Sequence, residues 1–252
     1  MSKIIGITNI SKFIGVSRFK FFNNLFGGGV LDAYTKLLLH GDGTNGSTTF
    51  TDSSPNPKTI TPYGNVQIST AQSKFSGSSM YFDGNEDYLS VPDSDDFNFG
   101  GGDFTIDLWV NALAVGQSNN SLLLTKLDNA TQATPFCITL MSGSYILRLY
   151  MAKSSQWDLV NGATIGTLQQ GVWSHVAVCR KNSAVYCFID GSLSSTSYVG
   201  PDSVLNCTYP ILIGSGNYSG CHFNGYIDEL RISKGIARWT TNFTPPTYSY
   251  GG

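Results

Sequence analysis

The chain has 252 residues, 13% of them charged, and a formal net charge of −2. That length is enough for one large domain with a full core, while the charge balance excludes a general nucleic-acid footprint and no apolar run of roughly 18 residues exists to span a membrane. Its 28 Gly, 13 Tyr and 15 Phe, beside only two glutamates, Glu86 and Glu229, suit short strands and tight turns rather than helices.

Residues 1–31 form a separate arm in this reading, and residues 32–252 the main body. The arm holds Lys3, Lys12, Arg18 and Lys20 and no acid, so it carries +4 and leaves −6 of the chain's −2 to the body. Gly6, Thr8, Asn9, Ser11 and Lys12 interrupt any apolar core of a secretion signal. Phe13, Phe19, Phe21, Phe22, Leu25 and Phe26 are too apolar for a solvated tail. The arm therefore reads as a docking segment that orders on a partner through Lys3, Lys12, Phe13, Arg18, Phe19, Lys20, Phe21, Phe22 and Phe26, with Gly27-Gly28-Gly29 as its hinge.

The body begins at Thr35 with the apolar run TKLLL, stopped by the turn Gly41-Asp42-Gly43. A long Asn-, Ser- and Pro-rich loop follows, then SMYFDG and DYLSVP as short strands about Asp83-Gly84-Asn85. The strand DFTIDLWVNAL alternates cleanly: Phe104, Ile106, Leu108 and Val110 are expected to pack, while Thr105, Asp107, Trp109 and Asn111 meet water. Trp109 is read as packed under a loop in preference to a sugar-stacking platform. SLLLTKL, PFCITLM and SYILRLYM supply three antiparallel strands with a turn at Gly143, and QWDLV a candidate fourth.

The pattern is strongest in the hairpin at 173–191. Trp173, His175, Ala177 and Cys179 face one way, Val176, Val178 and Arg180 the other, and the second strand ends at Asp190-Gly191. His175 has no nucleophile motif beside it, so it is read as structural, ring packed and one nitrogen bonded to backbone. The five cysteines, Cys137, Cys179, Cys187, Cys207 and Cys221, lack zinc spacing; their odd number favours reduced thiols, although Cys179 and Cys187 could face each other across the hairpin.

The closing stretch FNGYIDELRISKGIARWTTNFTPPTYSY places Tyr226, Asp228, Leu230 and Ile232 on one apolar face, so Asp228 is expected to point inward. After Lys234-Gly235 a short helical turn about Trp239 is expected, and Pro245-Pro246 directs the tail over the surface.

With the blocks at 77–110 and 173–191, this stretch resembles the laminin G-like branch of the concanavalin A-like lectin/glucanase superfamily, closest to versions in bacteriophage virion proteins. The resemblance implies an all-β jelly-roll sandwich of two antiparallel sheets with the arm appended. It further implies that Asp228 and the turn at Asp42 could hold a structural calcium; the alternative, that Asp228 accepts loop amide hydrogen bonds without an ion, stands beside it. Retaining glycosidases need two carboxyl groups about 5 Å apart. Asp103 and Asp107 lie about 13 Å apart along a strand, so no enzyme is expected.

The implied function is a virion structural protein, a capsid decoration, head fibre or tail adhesin, assembled in the bacterial host cytoplasm with other virion proteins. A homo-oligomer, in particular a trimer, is expected, and weak binding of host glycan fits the fold. The competing reading is a carbohydrate-binding lectin module of a bacterial surface protein. In either case the candidate glycan residues are Trp157, Tyr209, Asn217 and Tyr218, aromatic and polar groups on rim loops.

Overall fold

A computed structural model describes residues 32–116, 119–127, 134–216 and 220–251. The arm and all its proposed docking residues lie outside them. The compact unit Leu31–Tyr250 carries two antiparallel sheets.

The eight-stranded sheet runs β13 (Ser192–Tyr198), β12 (Ala184–Ile189), β11 (Ser174–Lys181), β6 (Phe104–Ala114), β15 (Asn224–Lys234), β4 (Ser79–Asp83) and β3 (Gln67–Ser69), and β1 (Thr35–Leu39) also pairs with β15. The seven-stranded sheet runs β10 (Val160–Thr167), β9 (Ile146–Met151), β8 (Phe136–Leu140), β7 (Ser121–Lys126), β14 (Ile211–Ile213), β5 (Tyr88–Val91) and β2 (Thr61–Tyr63). Alternation builds the core between them. Phe104, Ile106, Leu108 and Val110 of β6 and Val176 and Val178 of β11 meet Phe136, Ile138 and Leu140 of β8 and Leu147 and Leu149 of β9 in one buried cluster. Among the described residues the helical structure is one 3-10 turn, Asp95–Phe97, capped by Ser94.

Five expectations are corrected. The alternation of β15 breaks between Asp228 and Arg231, where Glu229 takes φ 51 and one extra residue is inserted against β6. Ile227, Leu230 and Ile232 therefore face the core, while Asp228 pairs with Trp109 and, like it, lies on the outer face. Asp228 is fully buried nonetheless, because a loop covers it.

The outer face of β6 does not meet water: Thr105, Asp107, Trp109 and Asn111 are all buried. The tail after β15 lies against this face without the helical turn, and stacks Trp239 on Phe243 with ring centroids 4.0 Å apart over His175 and Phe188. The fourth strand of the meander starts only at Val160, so QWDLV is mostly turn. Finally, Cys179 and Cys187 point to opposite faces, since Cys187 pairs with Val178 and joins the core while Cys179 packs under the tail.

Candidate functional site

On the outer face of the seven-stranded sheet, three consecutive strands present one lateral row. Register pairs Thr125 of β7 with Cys137 of β8, and Cys137 with Tyr150 of β9. Their neighbours along each strand, Leu124, Phe136, Ile138 and Leu149, fill the core, so the row must face outward. It floors a pocket of about 410 Å³. Asn119, Asn120, Thr134, Thr139, Ser142 and Gln156 bring carboxamides and hydroxyls to it, Leu122 and Leu127 apolar surface, and Cys221 a second thiol.

Trp157 forms the aromatic wall. Its ring centroid lies 4.8 Å from that of Tyr150, it is 38% exposed, and its backbone sits at φ 55, a left-handed conformation that costs a bulky residue roughly 1–2 kcal/mol. The loop that carries it is tied by Asp158. That carboxylate accepts from the amides of Lys153 at 2.7 Å, Ser154 at 3.2 Å and Ser155 at 3.2 Å, and from Ser154 Oγ at 2.6 Å. Its slight burial works the other way, but these bonds hold its pKa well below the ordinary carboxylate range.

Several polar groups of the pocket are already engaged. Asn120 Oδ1 accepts from the Ser142 amide at 2.8 Å, leaving its amino group to the pocket, and Thr139 Oγ1 donates to Ser121 O at 3.2 Å. Burial pushes the Cys137 thiol up to about 12, with Thr125 pulling weakly against it. Thr125 Oγ1 itself is buried and makes no hydrogen bond of ordinary geometry. A polar atom of that kind costs about 1–3 kcal/mol unless a water or ligand satisfies it.

A second polar cluster lies beneath the tail on the opposite sheet. Arg231 donates to both oxygens of Asp107, at 3.1 and 2.9 Å, and His175 Nε2 meets Tyr250 Oη at 3.1 Å and Asp107 Oδ2 at 3.6 Å. Burial would raise the Asp107 pKa, but the Arg231 charge, its hydrogen bonds and His175 hold it well below the usual range. The partner of His175 is thus a tyrosine hydroxyl rather than backbone, and the ring packs against Trp109, Trp239 and Phe243. Glu229 accepts from Tyr250 N at 2.7 Å and meets His40 Nδ1 at 2.8 Å. This cluster fastens the tail.

The calcium reading rests on Asp228 and Asp42. Asp228 Oδ2 accepts from the amides of Lys74 at 2.8 Å and Phe75 at 3.1 Å, and Oδ1 is buried without a partner. Burial pushes its pKa up to about 7 against those two bonds. Calcium takes six to eight oxygens, usually with several carboxylates. Asp42 is exposed, both oxygens of Glu229 are engaged, and among the described residues no three His, Cys, Asp or Glu side chains gather as a metal-holding group. The donor set does not fit calcium. Asp228 Oδ2 takes the amide-accepting role, and Oδ1 is left without a partner.

Of the predicted glycan residues, Trp157 lines the pocket. Tyr209 does not; its carbonyl accepts at 2.6 Å from the buried Lys126 Nζ, which also pairs with Asp93. Asn217 and Tyr218 lie outside the described residues, but the flanking glycines adjoin the pocket: a Cβ on Gly216 would stand 2.2 Å from Leu122 Cδ1, and one on Gly220 2.8 Å from Asn119 Nδ2. Sequence reasoning missed Thr125, Cys137, Thr139 and Tyr150. The alternation of β7, β8 and β9 marks them as outward, yet only the register shows that they meet.

No curated protein matches the chain in sequence. The fold is shared with solved structures of low identity. The binding domain of Paraclostridial Mosquitocidal Protein 1 superposes with a TM-score of 0.63 at 15% identity, over 81% of this chain and 49% of that one. Domain 4 of AbnA, an extracellular arabinanase from Geobacillus stearothermophilus solved with arabinotriose, gives 0.57 at 20% identity, over 81% of this chain and 93% of that domain. The binding domain of botulinum neurotoxin DC in complex with SialylT gives 0.59 at 16% identity, over 81% and 48%. The chain thus spans about half the length of the two toxin binding domains. A sequence model of the concanavalin A-like lectin/glucanases superfamily matches residues 83–238, from the end of β4 to the tail. With that match across more than half its length, the chain belongs to the concanavalin A-like lectin/glucanases superfamily.

Proposed function

We propose that the chain is a non-enzymatic bacteriophage virion component whose sandwich binds a host carbohydrate in the Trp157 pocket. The observation that carries the binding reading is Trp157 itself: a partly exposed indole held in a strained backbone conformation beside Tyr150, in a pocket lined with carboxamides and hydroxyls. Rings stack on the apolar face of a sugar, and the amides and hydroxyls exchange hydrogen bonds with its hydroxyl groups. These groups hold a sugar; they do not supply the acid and nucleophile that hydrolysis requires.

The virion reading is supported by the likeness of the closing strand, GYIDELRISKGIARW, to phage versions of the domain and by the cationic, phenylalanine-rich arm, whose composition suits docking on a capsid or tail as part of a homo-oligomer such as a trimer. The second reading, a lectin module of a bacterial surface protein, is favoured by the arabinanase domain, matched over nearly its full length and solved with a bound oligosaccharide.

Titration of the full chain with an oligosaccharide panel tests the site. Binding that Trp157→Ala removes, with no reducing sugar released, is the expected result; binding indifferent to Trp157 would refute the site, and released sugar the non-enzymatic reading. Locating the subunit on an imaged particle separates the virion from the bacterial surface.

A further inference from the structure

Beside the pocket stands a cation with no ion pair among the described residues. Arg148 of β9 is the direct cross-strand neighbour of Thr139, a pocket residue, and lies two positions before Tyr150 on the same outward face. Its Nε is buried without a hydrogen-bond partner. A half-buried guanidinium without an anion is costly, since its donors lose water and gain nothing in return.

Gly162, at φ 71 in a bulge of β10, lets Arg148 and Tyr150 pack closely beside its backbone. A Cβ there would stand 3.3 Å from the Tyr150 hydroxyl and 3.4 Å from Arg148 Nη1, crowding both, so the glycine lets the two donors come together on the outward face. A guanidinium fork and a phenol hydroxyl side by side at the edge of a sugar pocket suit a planar carboxylate.

We infer that the ligand is an acidic sugar, a uronate or sialate, whose ring stacks on Trp157 and whose carboxylate is read by Arg148 with Tyr150 Oη. This rests on the carbohydrate reading above and adds the charge of the ligand to it. The carboxylate takes the otherwise unpaired Arg148 donors, while the ring hydroxyls meet Asn119, Asn120 and Gln156.

The test is calorimetric titration of the full chain with two matched pairs: 3′-sialyllactose against lactose, and trigalacturonate against galactotriose. At least one acid should bind about tenfold or more tighter than its neutral partner, and added salt should erode that advantage. Arg148→Gln should bring the ratio close to one without lowering the melting temperature, because an uncompensated guanidinium is removed; Arg148→Lys should fall between. Whichever acid is preferred identifies the source of the carboxylate. Equal binding of acid and neutral sugar, dependent on Trp157, would overturn the role of Arg148 and leave the pocket standing. Failure of all four sugars to bind, or binding that Trp157→Ala does not disturb, would overturn the pocket and this inference with it.

Discussion

The guanidinium of Arg231 lies 3.8 Å from the ring centroid of Tyr250, so a residue near the chain's end roofs the buried pair that Arg231 makes with Asp107. Two contributions can be separated. Tyr250→Phe keeps the ring and loses the hydroxyl contact to His175, and should cost about 1 kcal/mol. Tyr250→Ala exposes the pair as well, and should cost about 3 kcal/mol or more. Urea midpoints measure both, and equal losses would show that the ring contributes nothing.

Beneath that roof, Asp107→Ala leaves a largely buried arginine unpaired, a loss expected at about 3–5 kcal/mol. Replacing both partners, as Asp107→Leu with Arg231→Met, should recover much of it, because the desolvation cost of both charges disappears together. A double-mutant cycle in denaturant decides this; additive losses would mean that the two groups do not interact.

The pH profile follows from shifts of opposite sign. Asp107 titrates below its ordinary 3.8 in the fold, so its contribution is present above that value and fades as pH falls through the folded one. Asp228 binds its proton up to about 7, chiefly through burial, so between 3.8 and about 7 the folded state holds the extra proton and stability declines as pH rises. His40 is raised above 6.5, first by its hydrogen bond to Glu229, and its contribution is full below 6.5 and lost as pH climbs through the raised value. Melting temperature should therefore decline from weakly acid to weakly alkaline solution. Asp228→Asn should flatten that slope, and an unchanged slope would assign it elsewhere.

Because Asp228 spends one oxygen on loop amides, excess EDTA should leave the melting temperature where it is, and added calcium should not raise it. Calorimetry with and without chelator settles the point; a calcium-dependent rise would require ligands beyond Asp228 and Asp42.

At the pocket, Asp158 holds the loop that carries Trp157 through three backbone amides and the Ser154 hydroxyl. Asp158→Ala should weaken sugar binding several-fold with a small change in melting temperature, since the loop is exposed, whereas Trp157→Ala should abolish measurable binding. If Asp158→Ala bound as tightly as the parent, the loop would not position the ring.

Much of this architecture could be read in advance from alternation and turn residues. Phe104 to Val110 declare a core face, and Asp190-Gly191 marks its hairpin turn, where both residues adopt positive φ. Glu229 gives no such notice: a bulge is one residue of altered backbone inside an unbroken apolar pattern, and it moved Asp228 to the other side of the sheet. The pocket was half legible. Trp157 stood out as an aromatic in a polar loop, whereas Thr125, Cys137 and Tyr150 come from three strands whose meeting depends on pairing register, which spacing along the chain does not encode.

The pair between Asp32 and Arg238, with Nη2 donating to both carboxylate oxygens at 3.1 and 2.9 Å, has a mechanical consequence. Asp32 is where the chain enters the sandwich, so tension on that entry reaches this clasp first and the β1–β15 bonds next, from Thr35 opposite Ser233 onward. A tether hauling on the sandwich from there would peel β1 before it disturbed β6 or β11, leaving the face that carries Trp157 intact under load.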